Sequence, residues 1–225
     1  MLFTLCGRVN SVNTAGMMEE MANRPYHHGA LETALVDAAV LAVEEGGIDA
    51  IAIRDLSRSI GVSPSAAYRH FPSREHLQAR VGQVGRERLG EALISARDAV
   101  ATTRSAQRRA IERFEAVGRA YVEFAISNPR LFEAAFARCD ALPPGPDEPD
   151  AWQVLMDGVE EMIDAGAIPP ARRADAPLIA WSSVHGLSNI LIASTVPPEM
   201  AEVTARRAHD RAIDHVLKGV LRSIS

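Results

Sequence analysis

Apolar side chains recur every three to four residues along most of this 225-residue chain, and runs of alternating β-branched residues are absent. That period places the apolar groups on one face of a helix, so the pattern predicts an all-α protein. A first helix is predicted from the stripe Leu31, Leu35, Ala38 and Ala42. It ends at Gly46-Gly47, because glycine takes the left-handed conformation at a helix C-terminus without steric cost.

The stretch from residue 53 to 77, IRDLSRSIGVSPSAAYRHFPSREHL, predicts two short helices joined by a tight turn. Leu56 and Ile60 lie four residues apart on one helical face, which ends at Gly61. Ser63-Pro64 begins the second helix, since the serine hydroxyl can accept from free backbone N–H groups and proline gives up an N–H that has no partner there. This layout is a helix-turn-helix unit.

The second helix of this unit has an outward face that suits DNA. Its small or hydrogen-bonding residues are Ser65, Ala66, Tyr68, Arg69 and His70, whereas Ala67 and Phe71 are predicted to face inward. A helix with small residues at its start and donors further along can enter the major groove, with the first residues near base edges and the later ones near phosphates. We therefore expect it to be a recognition helix.

Positive charge is concentrated in the same region. Between Arg54 and Arg88 there are seven arginines and three acidic residues, so this segment carries +4 in a chain of net charge −5, and the remainder carries −9. Pro72 ends the second helix, and Ser73 caps a third whose first residue is Arg74. A cation in the first turn opposes the helix dipole unless an anion is bound nearby, and a DNA phosphate would be such an anion.

From Tyr26 to Leu77 the chain resembles, without a gap, the N-terminal domain of the tetracycline-repressor (TetR) family of bacterial transcription regulators. The portion GVSPSAAYRHFPSREHL is the most specific part. The resemblance implies a homodimer that binds a palindromic operator and is released when a small molecule enters a C-terminal helical domain. It implies DNA contacts by Arg54, Ser63, Ser65, Ala66, Tyr68, Arg69, His70 and Arg74. The chain departs from the family at Ala52, where threonine usually caps the helix and touches phosphate, so that contact would fall to Arg54.

The helix that follows Ser73 is predicted to run toward Ala101 and contains Gly82, Gly85 and Gly90. Glycine lowers helix stability by up to about 1 kcal/mol relative to alanine, so each of these glycines needs a reason. Two explanations fit the sequence: close packing against another helix, or a pliable connection between domains.

Five further helices are predicted in the C-terminal part. They cover Arg108–Ser127, a short segment around Leu131, Trp152–Ala165, Ala174–Thr195 and Pro198–Ile224, with a proline-rich loop at Ala141–Asp150. The fourth has one stripe of Leu178, Trp181, His185, Ser188 and Ile192, beside the small pair Ser182 and Gly186. The fifth places Ala205, Ala208, Ala212, Val216 and Val220 on one face. Two such helices from each subunit would form a four-helix bundle at a dimer axis, as the resemblance implies.

A largely apolar small-molecule effector is expected to bind in the C-terminal domain, because such sites are mostly apolar with few polar groups. The candidate residues are Phe114, Tyr121, Trp152, Met156, Trp181 and His185, and an ordinary core position explains each of them at least as well. The run WSSVHG, from Trp181 to Gly186, also resembles a Trp-His-Gly signature of one C-terminal subgroup. A lone histidine on an apolar stripe is more often a satisfied core residue than a catalytic base.

Length and composition indicate two domains in a reducing cytoplasm. The predicted divisions are a flexible extension over 1–24, a DNA-binding domain over 25–72 and a ligand-binding and dimerisation domain over 73–225. Cys6 and Cys139 lie in unrelated contexts and are expected to be free thiols. The uncharged segment from Ala176 to Pro198 is too polar for a membrane span, and the N-terminus lacks a signal-peptide pattern. Translation could start at Met1, Met17, Met18 or Met21.

The sequence contains no phosphate-cradling glycine loop, nucleophile elbow or metal-ligand spacing, so we expect no enzyme activity, no cofactor and no metal site. The function predicted is a sequence-specific repressor that binds operator DNA as a homodimer and is released by a small-molecule effector. The alternative is a DNA-binding regulator without such a ligand, which is gated by a protein partner or acts constitutively. A filled second domain would favour the alternative, and a pocket would oppose it.

Overall fold

The computed structural model describes residues 28–101, 105–137, 150–193 and 206–225, and within them the chain forms nine α-helices and no strands. The helices are α1 (His28–Gly46), α2 (Ile53–Ser59), α3 (Pro64–His70), α4 (Arg74–Asp98), α5 (Ala106–Ser127), α6 (Pro129–Phe136), α7 (Ala151–Asp164), α8 (Ala176–Ile192) and α9 (Arg206–Ile224). Short 3₁₀ turns at Ile48–Ala50 and Pro170–Arg172 precede α2 and α8. The all-α prediction is confirmed. The predicted extension, both cysteines and nearly all of the proline-rich loop lie outside the described residues.

The helix-turn-helix unit forms from α2 and α3, as the glycine turn and the serine cap predict. Gly61 has a φ of 73°, in the left-handed region that favours glycine, and it turns the chain out of α2. Ser63 Oγ accepts a hydrogen bond from the Ala66 N–H at 3.2 Å and so caps α3. Ala52 stands before α2 and makes no side-chain cap, as expected from its lack of a hydroxyl.

Helices α1 to α3 pack around one apolar core. It is made by Leu31, Leu35, Val36, Ala39, Val40 and Val43 of α1 together with Leu56, Ala67 and Phe71 of the helix-turn-helix unit. The stripe predicted on α1 is off-centre, because Ala38 and Ala42 are only half-buried. The neighbouring valines remove more apolar surface from water than alanine does, so α1 turns them inward.

Helix α4 packs closely against α6 at two glycines. A Cβ at Gly82 would lie 2.7 Å from the Ala134 carbonyl oxygen, and a Cβ at Gly85 would lie 2.9 Å from the Ala135 Cβ. Both distances are shorter than real side chains tolerate, so any larger residue would push the two helices apart. Of the two explanations for these glycines, close helix packing is the one that the structure supports.

Helix α6 takes part in two cores at once. Its Leu131 and Ala134 belong to the N-terminal core, whereas Phe132 belongs to a C-terminal cluster that also contains Leu93 and Tyr121. A further C-terminal cluster joins α5, α7, α8 and α9. The short helix α6 therefore connects the N-terminal helices to the C-terminal helices through side chains that lie in both cores.

The buried face of α8 differs from the predicted stripe. Its buried residues are Ala176, Pro177, Ala180, Val184 and Ser188. Leu178, which was assigned to the same stripe as Trp181 and His185, is instead 60% exposed. Helix α8 carries apolar residues around its whole circumference, so periodicity alone does not identify the inward stripe.

Within the described ranges, no helix is long and apolar enough to cross a membrane.

The inward face of α9 also differs from the predicted alanine-lined face. The residues that pack into the chain's own core are Ile213, Leu217, Val220 and Ile224. Ala212 is only half-buried, and Val220, which was predicted to face a second subunit, is used internally. Large aliphatic side chains bury more apolar area than alanine, and this decides which face turns inward. Ala205 and the side chain of Ala208 lie outside what the structure describes.

We expect Gly82→Ala to lower the free energy of unfolding by about 1–3 kcal/mol, because its Cβ would overlap the Ala134 carbonyl oxygen. Urea unfolding at a fixed protein concentration measures this change. Gly29→Ala in α1 is the matched control, since no atom lies within 4 Å of the added Cβ. Stability of Gly82→Ala equal to that of the control would contradict the role assigned to the α4–α6 contact.

Candidate DNA-binding and ligand sites

The outward surface of α2 and α3 presents most of the residues expected to touch DNA. Arg54, Ser63, Ser65, Tyr68 and Arg69 are all exposed. Ser63 Oγ lies 3.1 Å from Ser65 Oγ, so the two hydroxyls at the start of α3 form one small polar group. Ala66 is only half-buried and packs partly against the N-terminal core, so it offers a methyl group at the edge of this surface.

The seven arginines between residues 54 and 88 differ in how they are held. Five are engaged within the chain: Arg58 pairs with Asp55, Arg74 with Asp49, Arg80 with Glu87 and Arg88 with Glu44, while Arg86 donates to the Ala135 carbonyl oxygen. Arg54 and Arg69 make no ion pair or side-chain hydrogen bond with any other residue in the described part of the chain. Within the described residues, three of the seven therefore have no carboxylate partner, and of these Arg86 is held by a carbonyl oxygen while Arg54 and Arg69 are exposed on the helix-turn-helix unit.

Arg74 has an anionic partner inside the protein, which corrects the reason given for it from the sequence. Its Nη2 donates to the Asp49 carboxylate at 2.9 Å and to the Asp49 carbonyl oxygen at 3.0 Å. These contacts tie the start of α4 to the 3₁₀ turn after α1. They offset the unfavourable position of a cation in the first turn, so no DNA phosphate is needed to explain it.

His70 also departs from the expected exposed position. Its side chain is only 13% exposed, and its Nδ1 lies 3.7 Å from the Glu32 carboxylate of α1. The end of α3 rests against α1, so the ring is drawn toward the protein rather than toward solvent. The sequence pattern assigned this ring to the exposed face of the second helix, and that assignment is wrong because the packing of α3 against α1 buries most of it.

A small apolar cavity lies among α4, α5, α7, α8 and α9, and its volume is about 40 Å³. It is lined by Leu93, Phe114, Val117, Gly118, Tyr121, Ala151, Leu155, Ala180, Trp181, Val184, Leu217 and Val220. Three of the six candidate ligand residues, Phe114, Tyr121 and Trp181, are therefore brought together. No residue of this lining carries a charge.

The other three candidates lie around the cavity rather than in its wall. His185 is held against Tyr121, and Trp152 makes an edge-to-face contact with Trp181 at a centroid distance of 5.9 Å. Trp152 is itself 43% exposed, although a position inside the domain was expected for it. Met156 does not line the cavity, and Leu155 takes that place, because a helix turn of 100° per residue carries adjacent side chains to different faces.

Three polar groups form a hydrogen-bonded chain beside the cavity. Trp181 Nε1 donates to Tyr121 Oη at 3.4 Å, and Tyr121 Oη lies 2.8 Å from His185 Nδ1. Burial raises the pKa of the Tyr121 phenol and lowers the pKa of the His185 imidazole, so both groups favour their neutral forms. The tyrosine O–H can then donate to the unprotonated histidine nitrogen while its oxygen accepts from the tryptophan.

Two phenylalanines of α6, which sequence reasoning did not include among the site residues, complete the surroundings of His185. Phe136 lies 4.8 Å from the His185 ring centroid, and Phe132 makes an edge-to-face contact with Tyr121 at 5.6 Å. Their spacing of four residues on one short helix could have indicated a shared aromatic face. Their proximity to α8 depends on tertiary packing that the sequence pattern does not contain.

Comparison with protein families gives two matches. Residues 35–81 match the model described as bacterial regulatory proteins, tetR family, and residues 114–216 match the model described as tetracyclin repressor-like, C-terminal domain. The first match contains the whole helix-turn-helix unit. The second contains the cavity-lining residues of α5, α7 and α8, and the two together cover about two thirds of the chain.

Individual relatives agree with these matches. The uncharacterized HTH-type transcriptional regulator YobS of Bacillus subtilis (strain 168) is 26% identical over 110 residues, which are 49% of this chain and 53% of YobS, so the match spans about half the length of that relative. A protein of unknown function from Rhodococcus sp. RHA1 superimposes with a TM-score of 0.68 at 25% identity, over 90% of this chain and 99% of that one. A bacterial regulatory protein in the tetR family from Rhodococcus RHA1 shares the fold, with a TM-score of 0.56 at 19% identity over 84% of this chain and 96% of that one.

The half-buried His185 should make stability depend on pH in a defined direction. Its folded-state pKa lies below the unfolded value of about 6.5, so the unfolded chain takes up this proton first as the pH falls. The stability that neutral His185 contributes is then full above about pH 6.5 and decreases below it. We expect the difference in the free energy of unfolding between wild type and His185→Gln to shrink from pH 7.5 to pH 5. A difference that stays constant over this range would show that His185 titrates alike in both states.

Proposed function

The chain belongs to the TetR family of bacterial transcriptional regulators and is a DNA-binding regulator, and from that premise we propose that it is a repressor. In this proposal it binds a palindromic operator as a homodimer in the cytoplasm and is released by a small, largely apolar effector. We further propose that residues 25–72 bind DNA and that residues 73–225 bind the effector and form the dimer. The repressor role is a family expectation, and regulation by an effector is supported by the apolar cavity.

The DNA contacts are proposed from the two arginines that have no partner within the described part of the chain. Arg54 at the start of α2 and Arg69 near the end of α3 are both exposed, and each can neutralise a phosphate without breaking an existing ion pair. Tyr68 and the hydroxyls of Ser63 and Ser65 are exposed as well and can contact base edges or backbone.

Arg74 and His70 are proposed as secondary contacts. Arg74 would have to leave Asp49, or share that carboxylate's charge with a phosphate, before it could bind DNA. The His70 side chain is mostly buried beside Glu32, and a contact with DNA requires only its exposed edge. Ala66 can contribute only van der Waals contact, for example with a thymine methyl group.

We expect Arg54→Ala and Arg69→Ala each to weaken DNA binding and to lower the slope of log affinity against log salt by about one unit. The measurement uses a genomic fragment selected by its binding to the protein and an unrelated duplex of equal length. The matched control is the double variant Asp55→Ala and Arg58→Ala, which removes an ion pair from α2 without changing the net charge. Slopes that stay at the wild-type value in both single variants would refute these phosphate contacts.

The dimer surface is proposed to be the outward stripe of α8. Leu178, Ser182, Gly186 and Ile190 follow one another at four-residue spacing, and the two large members are 60% and 58% exposed. Two of the five large hydrophobic side chains that are exposed in the described residues therefore lie on this one helix. The small residues between them would allow the backbone of a second subunit to approach, so a four-helix interface would use α8 and the outer side of α9.

We expect Leu178→Glu to give monomers in sedimentation velocity at micromolar concentration, because the carboxylate would be buried at the interface without a partner. Operator affinity should fall with it, since a palindrome is bound by two recognition helices. The control is Leu41→Glu on α1, whose leucine is 61% exposed and so is equally accessible. A dimer that persists in Leu178→Glu, or is lost equally in Leu41→Glu, would place the interface elsewhere.

We propose that an effector releases the protein from DNA by changing its conformation, because the cavity is small. A volume of about 40 Å³ holds a few water molecules, whereas an engineered cavity that binds benzene measures about 150 Å³. An effector would therefore bind a conformation in which the cavity is wider. It shifts the protein from its DNA-binding form only if it binds this wider form more tightly.

Helix α6 is the proposed route from the cavity to DNA. Tyr121 in the cavity wall touches Phe132, and α6 is fixed on its other side by Leu131 in the N-terminal core. Arg130 at the start of α6 donates to the Glu44 carbonyl oxygen near the end of α1 at 3.2 Å. Movement of Tyr121 would shift α6 against α1, and the α4 glycines leave no free space to absorb that shift.

The alternative, a regulator without a small-molecule ligand, predicts that the cavity never opens. In its favour, the cavity is small enough to be an ordinary packing defect. Against it, the cavity is apolar, lies beside a connected chain of tryptophan, tyrosine and histidine, and has an exposed tryptophan near its edge. Binding measurements with small neutral probes, described below, distinguish the two.

A further inference from the structure

The wall of the cavity restricts the chemistry of its ligand. Among the twelve lining residues, the only side-chain polar atoms are Tyr121 Oη and Trp181 Nε1. A carboxylate or an ammonium group placed there would lose its water and find no opposite charge. Such a wall selects against ions of either sign and accepts neutral molecules.

The two polar atoms differ in the strength of the hydrogen bonds that they already make. Tyr121 Oη is 2.8 Å from His185 Nδ1, which is an ordinary hydrogen-bond length. Trp181 Nε1 reaches Tyr121 Oη at 3.4 Å, beyond the usual range for an N–H donor. The Trp181–Tyr121 bond is therefore the weaker of the two, so a ligand oxygen that reached Nε1 would replace it at less cost than displacing the tyrosine from the histidine.

We propose that the effector is a neutral, compact, largely apolar molecule with one hydrogen-bond acceptor, such as a ketone, ester or ether, which accepts from Trp181 Nε1. This inference rests on the proposed ligand site and specifies its chemistry. Tyr121 and His185 keep their mutual hydrogen bond when the ligand enters. Trp152 is already 43% exposed and contacts Trp181, so moving it would expose little additional apolar surface and could open a way in.

Four probes of nearly one shape test the chemical class. Acetophenone carries a carbonyl acceptor, α-methylstyrene replaces that oxygen by carbon, benzoate carries a negative charge and benzamidinium a positive one. Isothermal titration calorimetry on the full chain should detect binding of the two neutral probes. Benzoate and benzamidinium should bind at least about tenfold more weakly than acetophenone, because each would be buried without a counter-charge. A charged probe that binds as tightly as acetophenone overturns the proposal.

The assignment of the donor is tested by a ratio that cancels the difference in hydrophobicity between the neutral probes. Trp181→Phe keeps an aromatic ring and removes the N–H, so the affinity ratio of acetophenone to α-methylstyrene should fall about fivefold. Trp152→Phe is the matched control and should leave the ratio unchanged, since Trp152 does not line the cavity. A ratio that is unaffected by Trp181→Phe, or that falls equally in Trp152→Phe, overturns the role of Trp181.

The place of binding is tested separately. Ala151 lines the cavity and is only half-buried, so Ala151→Leu can fill part of the space without overpacking a closed core. Ala151→Leu should lower the binding affinities of acetophenone and α-methylstyrene by the same factor. Equal affinity of both probes in wild type and Ala151→Leu would place their binding outside the cavity and overturn the inference.

The experiments distinguish an error in the proposed ligand chemistry from an error in the proposed function. If both neutral probes bind but Trp181→Phe leaves their ratio unchanged, the cavity remains a ligand site and only the acceptor chemistry is wrong. A second outcome is that the affinity ratio of acetophenone to α-methylstyrene falls as expected in Trp181→Phe while acetophenone leaves operator affinity unchanged. In that case the ligand chemistry is supported and the proposed effector response is wrong. Absence of binding by all four probes at millimolar concentration overturns both.

Discussion

The contact between α4 and α6 is the constraint on which the rest of the arrangement depends. At Gly82 the backbone of α4 approaches the Ala134 carbonyl oxygen so closely that no other residue fits. Because α6 is held there, its Leu131 can enter the N-terminal core while its Phe132 packs on Tyr121 of α5. The N-terminal helices and the helices around the cavity are thus joined by α6 together with α4, whose Leu77 and Leu89 also lie in the two different cores.

The arginines between residues 54 and 88 fall into two groups, those that hold other parts of the chain and those that do not. Arg74 and Arg88 hold the N-terminal helices to one another through Asp49 and Glu44, and Arg86 holds α6. Exposed pairs of this kind add little stability each, but they neutralise charge that would otherwise be available to DNA. Arg54 of α2 and Arg69 of α3 are exposed and have no such partner in the described residues, so the net charge of the segment overstates the number of arginines that are free to meet a phosphate.

The cavity shows the same division between scaffold and function. Its wall is built from aliphatic side chains of several helices, and its polar edge is a single hydrogen-bonded chain through Trp181, Tyr121 and His185. The histidine joins two phenylalanines of α6 to this chain. The aromatic cluster is continuous from α8 to α6, so a ligand at the proposed site would displace rings that pack on α6.

Local chemistry in the sequence was sufficient to determine the helix-turn-helix unit. Gly61 marks its turn, Ser63 caps α3 and Ser73 caps the helix that follows, all through interactions within a few residues, so their effects can be read without knowing the fold. Apolar periodicity likewise predicted the helices of both domains. The inward stripes of α8 and α9, the partner of Arg74 and the burial of His70 depend on contacts between segments far apart in the chain. Only the tertiary structure decided them, because a helix with apolar residues all around it, or a cation with several acidic residues within reach, has no preferred partner until other helices pack against it.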